Sequence, residues 1–249
     1  MDLSIYKVRA GSGEAVLKVL NENGKRFESK GAAVLRCFGG NGALRLLNAD
    51  GGAHLLEYVD GPQLRLLVEQ GKDEFATELL CDLMIKIHSY SGPQPEGLIS
   101  MERNFLSLFR RAEGEAADPI YKRGSNLARQ LIVSAREVRV LHGDIHHENV
   151  LRHSTRGWLA IDPQCLFGER TYDLANAFYN PSGSASLAAS PKRIARLCST
   201  FSQRLKIDST RILQFAFAYG CLSASWCIED GQSPEATLRI ARALEDSLS

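Results

Sequence analysis

Leu141-His142-Gly143-Asp144-Ile145-His146-His147-Glu148-Asn149-Val150-Leu151 is the most informative stretch of this 249-residue chain. It begins at the end of one short apolar run, 138–141, and finishes in another, 150–152. Runs of this length and type read as strands, so the residues between them form a loop bracketed by strands and held by them. Within the loop a histidine, a carboxylate and an amide stand at His142-x-Asp144-x-x-x-x-Asn149. Thirteen residues further on, Trp158-Leu159-Ala160-Ile161 is a third apolar run, and it ends in the carboxylate of Asp162.

His-x-Asp-x-x-x-x-Asn is the spacing of a kinase catalytic loop. In that chemistry Asp144 accepts or orients the proton of an attacking hydroxyl, and Asn149 offers an oxygen to magnesium. A second oxygen ligand is needed to hold Mg²⁺ on nucleotide phosphates. Asp162 stands where the Asp of Asp-Phe-Gly would, with Pro163-Gln164 after it. Towards the front, Glu14-Ala15-Val16-Leu17-Lys18-Val19-Leu20 puts one lysine inside an apolar strand. A charge there calls for a carboxylate partner, and Glu28, opening the next helix, is the candidate. Such a Lys–Glu pair positions the α/β-phosphates of ATP. Leu55-Leu56-Glu57-Tyr58-Val59-Asp60-Gly61 is a strand leading into a lobe boundary, where ligand clefts are common. Its backbone at Glu57 and Val59 is expected to meet an adenine edge. Each piece alone is weak; their order along the chain carries the reading.

The organisation agrees. The front reads β-β-α-β-β: strand-type residues 3–9, a turn at Ala10-Gly11-Ser12-Gly13, a second strand to Leu20, a helix over 27–38 stopped by Gly39-Gly40, and strands over 43–47 and 53–59. After Asp60-Gly61-Pro62, Phe75, Leu79, Leu80, Leu83, Met84 and Ile87 share a helical face. Further helices are expected near 102–112, 120–136, 171–179, 191–206, 209–229 and 234–247. The expected fold is α+β with two lobes: a β-rich nucleotide lobe over 1–60 and a helical catalytic and substrate lobe over 61–249.

Thirty basic residues against 29 acidic ones leave a net charge of +1. That supplies no general field for nucleic acid or anionic membrane, so neither is an expected partner. The longest uncharged stretch, 212–228, is too short and too polar to span a bilayer. The N-terminus lacks the pattern of a secretory signal. Six scattered cysteines without Cys-x-x-Cys suit a reduced, cytoplasmic protein. A zinc hydrolase built on His142, His146 and His147 is the rival enzyme, though His-Glu-x-x-His is absent. Gly-x-Ser-x-Gly and the Walker A pattern are absent too.

The loop His-Gly-Asp-Ile-His-His-Glu-Asn-Val-Leu resembles that of the aminoglycoside phosphotransferase family, protein-kinase-like enzymes that phosphorylate small molecules. Arg156-Gly157-Trp158-Leu159-Ala160-Ile161-Asp162-Pro163 and Ala218-Tyr219-Gly220-Cys221-Leu222-Ser223-Ala224-Ser225-Trp226 are similar to its streptomycin 6-phosphotransferase branch, grouped with hydroxyurea-resistance kinases. The resemblance implies ATP and Mg²⁺ as cofactors, Asp144 as catalytic aspartate, Asn149 and Asp162 as magnesium ligands, and Lys18 with Glu28 on the phosphates. It implies that Asp173, in Tyr172-Asp173-Leu174-Ala175, supports the catalytic loop together with His142. It also implies a small-molecule substrate, of which a cationic aminoglycoside is the expected kind. Trp226, Glu229 and Asp230 are then candidates for binding it. Kinase-like folds place a further strand and phosphate loop before the hairpin that carries the lysine. With 17 residues ahead of Lys18, that strand and loop are expected to be missing. A catalytically silent binding module on the same fold is therefore the competing reading of a different class.

Overall fold

The computed structural model describes residues 4–11, 13–20, 31–114 and 118–248. Strand β1 (Ser4–Ala10) turns at Gly11, whose φ of 60° suits a residue without Cβ, and returns as β2 (Gly13–Val19). Strands β3 (Leu46–Ala49) and β4 (Ala53–Glu57) form a second hairpin. Its turn is closed by Asp50, whose carboxylate accepts from the Gly52 and Ala53 amides, both at 2.8 Å. Pairing of β4 with β2 gives an antiparallel sheet in the order β1-β2-β4-β3. Helix α1 (Gly31–Phe38) buries Ala32, Val34, Leu35 and Phe38, the residues whose spacing predicts it.

The strand expected from Ala43 begins only at Leu46, because the residues before it pair elsewhere. The Leu44 amide donates to the Ala160 carbonyl at 3.0 Å, and the Ala160 amide to the Gly42 carbonyl at 2.9 Å. Past β4 the chain crosses into the helical region beside β7 (Val150–His153). The Arg152 amide donates to the Pro62 carbonyl at 3.0 Å and the Leu64 amide to the Val150 carbonyl at 2.8 Å. Gly61 lies so close that a Cβ would overlap the Arg152 carbonyl oxygen. Strand β7 pairs with β8 (Gly157–Ala160), so this hairpin is flanked by chain from both sides of the residue-60 boundary.

Short helix α2 (Arg65–Glu69) leads to α3 (Asp73–Ile87). The apolar face of α3 is Leu80, Leu83, Met84 and Ile87; Phe75, expected on it, is exposed. The single helix expected over 102–112 is two, α4 (Met101–Asn104) and α5 (Leu106–Ala112). They break at Phe105, which is buried edge-on against Tyr172. Then come α6 (Pro119–Val133), α7 (Tyr172–Ala175), a 3-10 turn over Asn176–Tyr179, and α8 (Ala185–Ala188). Last are α9 (Pro191–Leu205), α10 (Ser209–Glu229) and α11 (Glu235–Asp246). Helix α10 is the spine of this region. Asp208 caps it by accepting the Arg211 amide at 2.9 Å, and Gly220 admits the Tyr179 hydroxyl, which donates to the Ala216 carbonyl at 3.0 Å. Burying an aromatic such as Phe178 or Phe201 against it contributes roughly 1.5–3 kcal/mol each. A small sheet in the order β5-β9-β6 leads into the loop over 142–149: β5 (Ile99–Ser100), β9 (Leu166–Glu169) and β6 (Val138–Leu141).

None of the six cysteines is joined in a disulfide among the described residues. Burial pushes Cys81 and Cys221 up to about 12 and Cys198 up to about 11, so these three are unreactive. No helix among the described residues is long and apolar enough to cross a membrane.

Candidate active site

β6 delivers the chain to His142, and β7 takes it away after Asn149. Gly143 sits at φ 82°, where a Cβ would press on Leu166 and Gln164 at 2.8–3.0 Å. Asp173, buried at the start of α7, closes this turn. Its Oδ1 accepts the Gly143 amide at 2.6 Å, and its Oδ2 accepts the His142 amide at 3.1 Å and meets His88 Nε2 at 2.8 Å. Burial holds the His142 ring below its ordinary titration range, and its Nδ1 accepts the Asp144 amide at 3.3 Å. Asp173 is thus bonded to the first two residues of the loop, and the His142 ring to the Asp144 amide.

Asp144 lies at the centre. Its Oδ2 accepts from Asn149 Nδ2 at 3.0 Å and its Oδ1 from Asn176 Nδ2 at 2.6 Å. Asn149 Nδ2 also donates to the Asp144 carbonyl at 3.1 Å. With the nitrogen so used, Asn149 presents its side-chain oxygen, to which no donor is found among the described residues. The Ile161 amide donates to the Asn149 carbonyl at 2.9 Å, which lays the following residue, Asp162, beside the loop. Asp162 has a left-handed φ of 55°, which aspartate tolerates better than most residues, and its side chain is 47% exposed. Its Oδ1 accepts from Lys18 Nζ at 2.9 Å, and Lys18 itself is buried. Glu28 lies outside the described residues.

At the lobe boundary the structure separates Glu57 from Val59. The Glu57 amide donates to the Arg45 carbonyl at 2.9 Å, so its N–H is taken by the register of β3 on β4, which leaves the Glu57 carbonyl as the group a base edge could meet there. The Glu57 side chain accepts the Arg45 amide at 2.9 Å, lies 3.5 Å from His153 Nε2 and is clasped by Arg156. Arg156 also reaches the Gly40 and Ala43 carbonyls. Among the described residues the Val59 amide has no hydrogen-bond acceptor.

Trp226 is half-buried, edge-on to Tyr219, whose ring also meets Tyr172 and Tyr179. Burial first, and then Tyr172 and the Asp144 charge, push the Tyr219 phenol far above its ordinary range. Trp226 is thereby joined, through Tyr219, to the ring of Tyr172. Glu229 and Asp230 are exposed at the end of α10, and Glu229 accepts from Ser107 Oγ at 2.7 Å. No contact among the described residues joins either carboxylate to the loop. For the zinc reading, no three His, Cys, Asp or Glu among the described residues are placed to hold an ion. Sequence reasoning missed Asn176, His88 and the pair His146–Glu148, whose ring nitrogen and carboxylate lie 2.9 Å apart. Asn176 alone left a signal, three residues after Asp173 on the same helical turn.

Magnesium is commonly held by one or two carboxylates together with phosphate oxygens and water, rather than by an all-protein cage. The Asp162 carboxylate and the outward Asn149 oxygen supply such a pair, and Lys18 adds positive charge beside them. The residues present fit a magnesium–nucleotide complex.

Solved structures define the class. A thermostable mutant of aminoglycoside phosphotransferase APH(4)-Ia, in ternary complex with AMP-PNP and hygromycin B, is similar with a TM-score of 0.69 and 15% identity, covering 99% of this chain and 95% of that one. Choline kinase LicA from Streptococcus pneumoniae is similar with a TM-score of 0.61 and 14% identity, covering 97% and 89%. The fold is thus the two-lobe, protein-kinase-like α+β fold of small-molecule phosphotransferases. Sequence narrows this further: residues 3–231 match the aminoglycoside/hydroxyurea antibiotic resistance kinase family, and the chain belongs to it. A streptomycin 3''-kinase of Klebsiella pneumoniae is 40% identical over 232 residues, 91% of this chain and 85% of the relative. A streptomycin 6-kinase of Streptomyces griseus is 31% identical over 95% and 82%. A hydroxyurea phosphotransferase of Kitasatospora aureofaciens is 32% identical over 95% and 69%. The protein is a phosphotransferase that uses a nucleotide to phosphorylate a hydroxyl group of a small molecule.

Proposed function

We propose that this enzyme transfers the γ-phosphoryl group of ATP, bound with Mg²⁺, to a hydroxyl of an aminoglycoside, streptomycin first among them, and so confers resistance. The observation that carries the reading is the convergence of Asp144, Asn149 and Asp162 from two loops, with Lys18 reaching Asp162 from β2. The 40% identity to a streptomycin 3''-kinase supports the choice of substrate.

Asp144 takes the hydrogen bond of the acceptor hydroxyl and aims its oxygen in line with the phosphoryl group, which removes most of the orientational barrier. Asn149 and Asp162 would hold the magnesium, which when bound neutralises charge developing on the phosphate oxygens. Lys18 adds its own charge on the phosphates from the β2 side. The Val59 amide, without a hydrogen-bond acceptor among the described residues, meets the base edge. Trp226 with the exposed carboxylates of Glu229 and Asp230 complements the guanidinium or ammonium groups of the substrate.

The test is ADP release from Mg-ATP with streptomycin, other aminocyclitols and hydroxyurea, followed by ³¹P NMR of the product. Asp144→Ala should abolish transfer while ATP still binds; Asp162→Ala should weaken Mg-ATP binding. Near-full turnover by Asp144→Ala overturns the site, and phosphorylation of no aminoglycoside by an ATP-binding enzyme overturns the substrate.

A further inference from the structure

Asp144 is held by two side-chain amides, and only one of them has a further task. Asn149 donates to Oδ2 and turns its own oxygen outward. Asn176 donates to Oδ1 at 2.6 Å, lies buried in the 3-10 turn after α7, and has no other role in the chemistry. Its amide is itself oriented. Asn180 Nδ2 donates to the Asn176 side-chain oxygen at 2.8 Å and to its carbonyl at 3.0 Å, so the nitrogen is the end that faces Asp144. A second line runs from the same segment. The Ser182 amide donates to Glu148 Oε1 at 2.7 Å, and Glu148 Oε2 meets His146 Nδ1 at 2.9 Å. The other nitrogen of His146 lies 3.8 Å from Asp144 Oδ1. Burial opposes the Glu148 charge, but the His146 and Ser182 hydrogen bonds outweigh it and hold this carboxyl below its ordinary range.

The terminal torsion of an aspartate is soft and broadly two-fold. One donor on one oxygen leaves a pivot; a second donor on the other oxygen removes it. Each carboxylate oxygen keeps another lone pair, so a substrate hydroxyl still finds an acceptor, now in a fixed direction. We propose that segment 176–182 is a positioning brace for Asp144, in which Asn176, oriented by Asn180, fixes the rotation of the carboxylate. The proposal rests on Asp144 as the group that orients the acceptor hydroxyl. Asn176 and Asn180 act through it and touch no reacting atom.

The test compares Asn176→Ala, Asn180→Ala and Asp144→Ala by steady-state kinetics with streptomycin and Mg-ATP, alongside thermal melts. Asn176→Ala should lower kcat roughly 10- to 100-fold, the scale of a misplaced reacting group, with KM for ATP within about twofold. Asn180→Ala should lower kcat in the same direction but less, by about 3- to 10-fold. A purely structural role would lower the melting temperature and leave kcat per folded molecule unchanged. A folded Asn176→Ala with native kcat overturns the brace. If that variant does not fold, Asn180→Ala decides: native kcat overturns the brace, and a fall at unchanged melting temperature supports it. Turnover by Asp144→Ala refutes the reading of the site, and the brace with it. A dead Asp144→Ala beside fully active asparagine variants refutes the brace alone.

Discussion

Replacing Asp173 by asparagine asks whether one buried carboxylate holds the catalytic loop. Its two oxygens serve three hydrogen bonds, from the Gly143 amide at 2.6 Å, the His142 amide at 3.1 Å and His88 at 2.8 Å. Asparagine has the same shape and only one acceptor oxygen. If that oxygen faces His142 and His88, a buried NH₂ group confronts the Gly143 N–H, donor against donor. Turned over, it deprives the other pair. Each buried donor left without an acceptor costs about 1–3 kcal/mol. The surviving bonds also lose the charge assistance that roughly doubles their strength. Together these give a loss of about 3–4 kcal/mol. For a chain of this length that lowers the melting temperature by roughly 10 °C. The loop carrying Asp144 loosens with it, so kcat should fall about 100-fold. Nucleotide binding should suffer less, because Asp173 touches neither Lys18 nor Asp162. Calorimetry, with phosphorylation rates taken well below both melting transitions, measures the two effects separately. A variant that melts with the native protein and keeps native kcat would refute the assignment of Asp173 as the clamp of the loop.

Three further outcomes are expected. His147 is buried with neither ring nitrogen bonded, and burial together with the Arg193 charge holds it down to about 4. An unfolded histidine titrates near 6.5, so only the unfolded chain takes the proton between those values. Stability is therefore whole above about pH 6.5 and declines towards pH 4 by about 3 kcal/mol. His147→Leu should flatten that part of a urea-denaturation profile; an unchanged slope would assign it to another group. Arg156→Met leaves the Glu57 charge poorly paired beneath the sheet and should destabilise by about 3 kcal/mol, with Glu57→Gln recovering part of the loss in a double-mutant cycle. Gly61→Ala drives a methyl into the Arg152 carbonyl and should destabilise by about 1–3 kcal/mol in chemical denaturation; native stability would contradict the close crossing.

The loop over 142–149 was readable as a unit because its polar residues are consecutive and lie between two strand-type runs. Helix α10 was readable to its ends because a capping aspartate precedes a long uncharged stretch. What stayed hidden is what joins distant parts of the chain. His88 meets Asp173 across 85 positions, and Arg156 meets Glu57 across 99. No local pattern announces either contact. Glu57 was read as a residue for the base edge because a strand end at a lobe boundary offers free backbone. That its amide is taken depends on the register of β3 on β4, including the irregularity between Leu46 and Asn48. Strand β9 escaped because Leu166-Phe167-Gly168-Glu169 is short and contains glycine, and is defined by its neighbours β5 and β6.

Residues 42–44 are stitched to Ala160 across the residue-60 boundary. A cut at 60 would part Leu44 from Ala160, Asn41 from the Lys86 carbonyl and Glu57 from Arg156. The contacts of the β1–β2 hairpin with the remainder include its ladder with β4, Lys7 over the Tyr58 ring and Lys18 on Asp162. A two-fragment version of the enzyme is therefore best divided between β2 and α1. The smaller fragment would then return as an edge hairpin carrying Lys18 back to Asp162.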